Sequence, residues 1–102
     1  MAHVLVIYNA PADPAAFDRY YEETHTPLAR KIPGLRSLVI SKGTVQALAG
    51  TAPYLVASLA FDSMADLNAG LASPEGKATA DDLPNFASGG VTLLVYESKS
   101  AL

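Results

Sequence analysis

The 102-residue chain contains no cysteine. That excludes a disulfide framework, a thiolate metal site and a cysteine nucleophile, leaves apolar burial to hold the fold together, and fits a cytoplasmic setting. Positive charge is also scarce: seven Lys and Arg stand against ten Asp and Glu, for a net charge of −3. With the basic residues scattered, no phosphate-binding surface and no nucleic-acid partner are expected. No apolar run approaches the roughly 18 residues of a membrane span, and no Lys or Arg precedes the first apolar stretch, so neither membrane insertion nor export is expected. A phosphate-cradling loop is missing too: the step from Gly70 to Gly76 is one residue too long, and Ala78 follows Lys77 where Ser or Thr is needed. His3 and His25 are the only imidazoles, with no His-x-His or His-Glu-x-x-His spacing, so no protein metal site is expected.

What is present is a 50% hydrophobic chain without repeats or linkers, expected to form one domain over residues 1–102. His3–Asn9 reads as a strand ended by Ala10–Pro11. Asp13 before Pro14 marks a helix start: a side-chain acceptor precedes a residue with no N–H to satisfy. On a helical wheel Phe17, Tyr20, Tyr21, Thr24, Leu28 and Ile32 share one face, opposite Asp18, Arg19, Glu22 and Glu23. Pro27 should interrupt this helix by pushing Thr26 out of the helical region, with Thr26 capping a continuation to Ile32 and Pro33–Gly34 ending it. Leu35–Lys42 and Tyr54–Phe61 read as a long hairpin around the loop Gly43–Pro53. Ser63 and Asp66 start a helix to Leu71, Ser73–Pro74 starts another towards Ala87, Gly89–Gly90 ends it, and Val91–Tyr96 is the last strand.

The order β-α-β-β-α-β is that of an α+β, ferredoxin-like sandwich with a four-stranded antiparallel sheet. Such a sheet should alternate apolar and polar residues, yet Val4-Leu5-Val6-Ile7-Tyr8 and Leu93-Leu94-Val95-Tyr96 are apolar throughout. Helices cover one face, so a homodimer with the two sheets facing each other is expected to cover the second.

His25 is the candidate for chemistry, with two readings open. It shuttles protons for a ligand, or its ring nitrogens tie down main-chain carbonyls freed by Pro27. Its position near a helix end favours the imidazolium and burial the neutral ring. Phe17, Tyr20, Tyr21 and Phe86 read either as a pocket wall or as core. Asp81 and Asp82 read as a solvated acidic pair, since adjacent helical side chains diverge.

The runs Tyr8-Asn9-Ala10-Pro11-Ala12-Asp13-Pro14, Phe17-Asp18-x-Tyr20-Tyr21 and His25-Thr26-Pro27-Leu28-Ala29 resemble the amino-terminal pattern of the EthD family. Pro53-Tyr54-Leu55-Val56-Ala57, Phe61-Asp62-Ser63 and Asp82-Leu83-Pro84-Asn85-Phe86 resemble its later landmarks in the same order. The resemblance implies a dimeric α/β barrel of the superfamily that holds muconolactone-type isomerases, cofactor-free monooxygenases and haem-binding relatives. It implies an oxidoreductase or isomerase acting on a small apolar or aromatic metabolite, with His25 catalytic and Tyr21, Leu28, Asp82, Asn85 and Phe86 near the substrate. The alternative is a non-catalytic metabolite-binding or accessory protein serving a degradative oxygenase. With no dinucleotide fingerprint, no cofactor is expected.

Overall fold

The computed structural model describes all residues, 1–102. Strand β1 (Ala2–Tyr8) leads through Asp13 into α1 (Pro14–Tyr20), where the Asp13 carboxylate accepts from the Ala16 N–H at 3.2 Å. Strands β2 (Leu35–Ile40) and β3 (Leu55–Phe61) form the hairpin around the long loop. Helix α3 (Met64–Ala72) is capped by the Ser63 hydroxyl, which accepts from the Asp66 N–H at 3.1 Å. Helix α4 (Pro74–Asp81) is capped by Ser73, a 3-10 turn follows at Leu83–Asn85, and β4 (Val91–Glu97) closes the sheet. The second helical stretch therefore stops well before Ala87. Pro84 brings no N–H to continue the α-helix.

The sheet is antiparallel with order β2-β3-β1-β4, the expected ferredoxin-like topology. The molecule is 18 Å along its thinnest axis, the depth of one sheet and one helix layer. Along β1 the pleat sorts the residues: Ala2, Val4, Val6 and Tyr8 are buried under the helices, while His3, Leu5 and Ile7 on the opposite face are half-buried. Register extends both faces across the sheet. Val4 pairs with Leu59 and Val95 and Val6 with Ala57 and Leu93 on the helix side, while Leu5 pairs with Leu94 and His3 with Tyr96 on the open side. Edge strand β4 is the least covered, with Leu93, Leu94, Val95 and Tyr96 each 43–51% exposed.

Pro27 does not interrupt the first helix. Thr26 keeps helical angles (φ −58°, ψ −43°) and offers no capping side chain; its N–H reaches back five residues to the Tyr21 carbonyl. The chain runs from α1 through one π-helical turn (Tyr21–His25) directly into α2 (Thr26–Ala29). A widened turn is an alternative to breaking a helix, because it makes room for the proline ring next to a carbonyl that has lost its donor. The extra residue also changes the phase. Residues four apart drift by about 40° on an α-helix, and the π turn removes part of that drift, so Phe17, Tyr21, His25 and Ala29 all turn inward. Thr24, expected on that face, is exposed.

Candidate functional site

His25 is buried, at 5% exposure, on the inner face of the π turn. Its Nδ1 lies 2.9 Å from Asp82 Oδ2, and its Nε2 lies 3.5 Å from the Tyr8 hydroxyl. Neither ring nitrogen meets a main-chain carbonyl. The carboxylate accepts from Nδ1–H, which fixes the tautomer and leaves the Nε2 lone pair directed towards Tyr8. At 3.5 Å the contact from the Tyr8 hydroxyl is at the long limit of a hydrogen bond, so Nε2 is only weakly engaged.

Asp82 is the correction that matters most. The sequence pattern reads Asp81 and Asp82 as a solvated pair; Asp81 is exposed, but Asp82 is buried at 7% exposure. Helix α4 ends at Asp81, and the turn of the chain there points the Asp82 side chain inward, across to the π turn. Its Oδ1 accepts from the Tyr20 hydroxyl at 2.6 Å and from Asn85 Nδ2 at 3.0 Å, three residues along on the 3-10 turn. Phe86 packs on the imidazole with ring centroids 4.6 Å apart, and Tyr21 lies at 5.6 Å.

These neighbours set the charges. Burial lowers the His25 pKa, and the hydrogen bond and charge of Asp82 oppose that without overcoming it. Burial alone would raise the Asp82 carboxyl, but the hydrogen bonds from Tyr20, Asn85 and His25 hold it below the ordinary carboxylate value. Burial pushes the Tyr8 hydroxyl far above the usual tyrosine range and Tyr21 up to about 12, while the bond to Asp82 raises Tyr20. The arrangement at neutral pH is a neutral imidazole backed by a carboxylate, with three phenols that stay protonated.

A pH dependence of stability follows. For both His25 and Asp82 the unfolded chain takes up its proton at higher pH than the folded one. Stability is therefore expected to be full above the ordinary histidine value of 6.5, to fall as the pH drops below it, and to fall again below the ordinary carboxylate value of 3.8. Urea midpoints measured between neutral pH and mild acid check this; a midpoint that rises as His25 titrates would contradict a ring held neutral.

A cavity of 230 Å³ lies between sheet and helices beside this pair. Tyr8, Tyr21 and His25 line one part of it; Val4, Val6 and Leu59 are its floor, and the half-exposed Leu93 and Val95 of β4 border it as well. Of the six residues singled out from sequence, His25 and Tyr21 line the cavity. Phe86 and Asp82 are buried behind the imidazole, and Asn85 is exposed and reaches the site only through Asp82. Leu28 is half-buried and does not line the cavity. Phe17 and Tyr20 also stay outside it: Phe17 is core, and Tyr20 is a clamp on Asp82. Sequence reasoning missed Tyr8, which reads there as an ordinary strand residue; the signal is that it is the strand's one polar-tipped residue on the buried face. No group of three or more His, Asp or Glu side chains converges anywhere in the fold.

Comparison with known proteins agrees with this architecture. A family model described as the EthD domain matches residues 9–90. An uncharacterised 11.0 kDa protein of the thcB–thcC intergenic region of Rhodococcus erythropolis is 43% identical over 100% of this chain and 99% of its own. The crystal structure of an EthD family protein from Bacillus halodurans superimposes with a TM-score of 0.87 at 33% identity, covering 97% of this chain and 99% of that one. A dimeric protein of unknown function and ferredoxin-like fold from Bacteroides fragilis gives 0.62 at 15% identity over 95% of each chain, a likeness of fold alone.

Proposed function

The chain belongs to the EthD family, and from that membership and the geometry at His25 we propose that it is a small-molecule enzyme that binds a compact apolar metabolite in the cavity and moves a proton with His25 Nε2. The observation that carries this reading is the Asp82–His25 pair at 2.9 Å on the wall of an apolar cavity, with Nε2 held only by the long contact to the Tyr8 hydroxyl. A general base needs a lone pair directed at the reacting atom, an unprotonated form at neutral pH and an acceptor behind it for the imidazolium it becomes. Nε2, the buried ring and Asp82 supply these in turn. Both isomerisation and cofactor-free oxidation begin with such a proton removal, and nothing in the cavity lining favours one continuation over the other.

The protein works as a homodimer, with the open faces of two sheets packed together. Leu5, Ile7, Val56, Leu94 and Tyr96 form an apolar face that the helix layer cannot reach, and closed two-fold pairing buries such a patch on both copies at once. The B. fragilis relative in fold is itself described as dimeric. We take the cytoplasm as its compartment, on the cysteine-free composition; no helix is long and apolar enough to cross a membrane.

The test is proton uptake on ligand binding. A panel of small lactones, quinones and aromatic ketones is titrated calorimetrically in buffers of different ionisation enthalpy. For ligands with an acidic hydrogen, at a pH where the free ligand is already ionised, the wild type is expected to take up a proton from the buffer as His25 becomes the imidazolium beside the bound anion, whereas His25→Gln takes up none and should still bind the apolar analogues. Equal proton linkage in the two proteins would sink the catalytic reading and leave a non-catalytic carrier.

A further inference from the structure

Four lining residues of the cavity carry a polar side chain: Tyr8, Tyr21, His25 and Thr79. Thr79 is spoken for, since its hydroxyl donates to the Glu75 carbonyl at 2.8 Å, and the Tyr8 hydroxyl points at His25. Tyr21 is different. Its side chain is buried with the residue only 5% exposed, yet its hydroxyl has no partner within the protein, and burial is the sole cause of its raised pKa. No fully buried side-chain oxygen or nitrogen in the fold lacks a hydrogen bond. The Tyr21 hydroxyl therefore keeps some accessible surface, and Tyr21 borders the cavity. A donor on a residue this deeply buried that no protein group occupies is one available to a ligand oxygen.

The charges of the lining restrict that ligand. No Lys, Arg, Asp or Glu borders the cavity, so no fixed positive charge there meets a carboxylate or a phosphate. A neutral molecule with an oxygen that gains negative charge during reaction fits. Resting on the reading of His25 as the proton-transfer residue, we infer that the substrate is a neutral carbonyl compound with an acidic hydrogen on the adjacent carbon and a one-ring or fused two-ring apolar body, and that Tyr21 is a catalytic residue which donates to its oxygen.

In the step, the C–H bond next to the carbonyl breaks and its proton goes to His25 Nε2. The electron pair forms the carbon–carbon double bond, and the carbonyl π pair moves to oxygen, giving an enolate that accepts from the Tyr21 O–H. Asp82 holds the imidazolium. Return of the proton from Nε2 to the same or a conjugated carbon restores neutral His25, with no electrons gained or lost overall. Because burial keeps Tyr21 a phenol, it acts as a donor and not as a second base.

The experiment uses 4-nitrophenol, whose planar phenolate copies the enolate, and 4-nitroanisole, which has the same body without an ionisable oxygen. The wild type is expected to bind 4-nitrophenol with phenolate absorbance at a pH where the free compound is largely neutral. Tyr21→Phe should weaken that binding about tenfold to a hundredfold, the range for losing a hydrogen bond to a charged acceptor, leave 4-nitroanisole binding unchanged, and unfold at the same or a higher urea concentration. Unchanged phenolate binding by Tyr21→Phe would overturn the role of Tyr21 and leave the reading of His25 standing, as would a lowered urea midpoint, which would make the hydroxyl structural. Binding of 4-nitrophenol only as the neutral phenol, alike in wild type and His25→Gln, would remove the proton-transfer reading and this inference together. If neither compound binds, the substrate class is overturned, and His25 is judged by its own titration above.

Discussion

Replacing Leu94 with aspartate is expected to weaken self-association by about a thousandfold or more and to yield a species of 10.6 kDa in sedimentation at concentrations where the wild type is expected to sediment as a dimer. Leu94 lies on the open face of β4 opposite Leu5, and the helix layer does nothing for it: it is 47% exposed in the single chain. In a two-fold interface the substitution enters twice, and each carboxylate loses its water among leucines, isoleucines and valines. A combined penalty of roughly 4 kcal/mol is modest for two buried unpaired charges and already gives the stated factor. Ala15→Asp, on the exposed first turn of α1, places the same charge on the opposite layer and should leave the dimer intact. If Leu94→Asp remains a dimer of undiminished affinity, copies of the chain pair through another surface.

The second large effect is expected at Asp82. Its carboxylate accepts from Tyr20, Asn85 and His25 in a buried position, so Asp82→Ala strands the Tyr20 and His25 donors close to the core and releases the exposed Asn85 amide, and should cost about 2–4 kcal/mol in urea unfolding. Asp82→Asn is the more informative change. It keeps the volume and most of the stability, but an amide that turns its NH2 towards Nδ1 makes that nitrogen the acceptor and moves the ring proton to Nε2. The base then points the wrong way. Nitrogen-15 shifts of the imidazole report the tautomer directly: the wild type should show a protonated Nδ1, and Asp82→Asn a protonated Nε2 with proton linkage to ligand binding largely gone. A variant that holds the wild-type tautomer would mean that something other than Asp82 orients the ring.

The elements of the fold were legible for local reasons. Asp13–Pro14, Ser63 and Ser73–Pro74 start helices through short-range capping bonds that the sequence spells out, and each cap is present. The hydrophobic runs of β1 and β4 announced a sheet whose second face also wants cover, and β1 and β4 are neighbours in that sheet. Pro27 was the misleading signal. Proline is incompatible with a regular α-helical interior, but the chain has a second remedy in the π turn, and the choice between breaking and widening rests on what packing the inward residues gains. Here widening turns Tyr21 and His25 onto one buried face together.

The site divides the same way. His25 stands out from sequence as the one histidine beside a helix irregularity, and Tyr21 as its neighbour one turn earlier. The family resemblance placed Asp82 near the substrate, but its pairing with His25 could not be read locally, because it lies 57 residues away and its own surroundings, an acidic pair near a helix end, look solvated. Likewise nothing local distinguishes Tyr8 from Leu5 or Ile7 until the pleat decides which of them faces the helices.

The sequence by itself determined the order of elements, the antiparallel α+β class, the family, the need for cover over the open face, and His25 as the residue of interest, since periodicity, capping and composition act over a few residues. Only the tertiary structure decided that Asp82 backs the imidazole, that burial favours the neutral ring, and that Tyr21 borders an apolar cavity. Burial, tautomer and hydrogen-bond partnership depend on side chains brought together across the fold, and no local pattern encodes which distant residue will fill the space beside a given one.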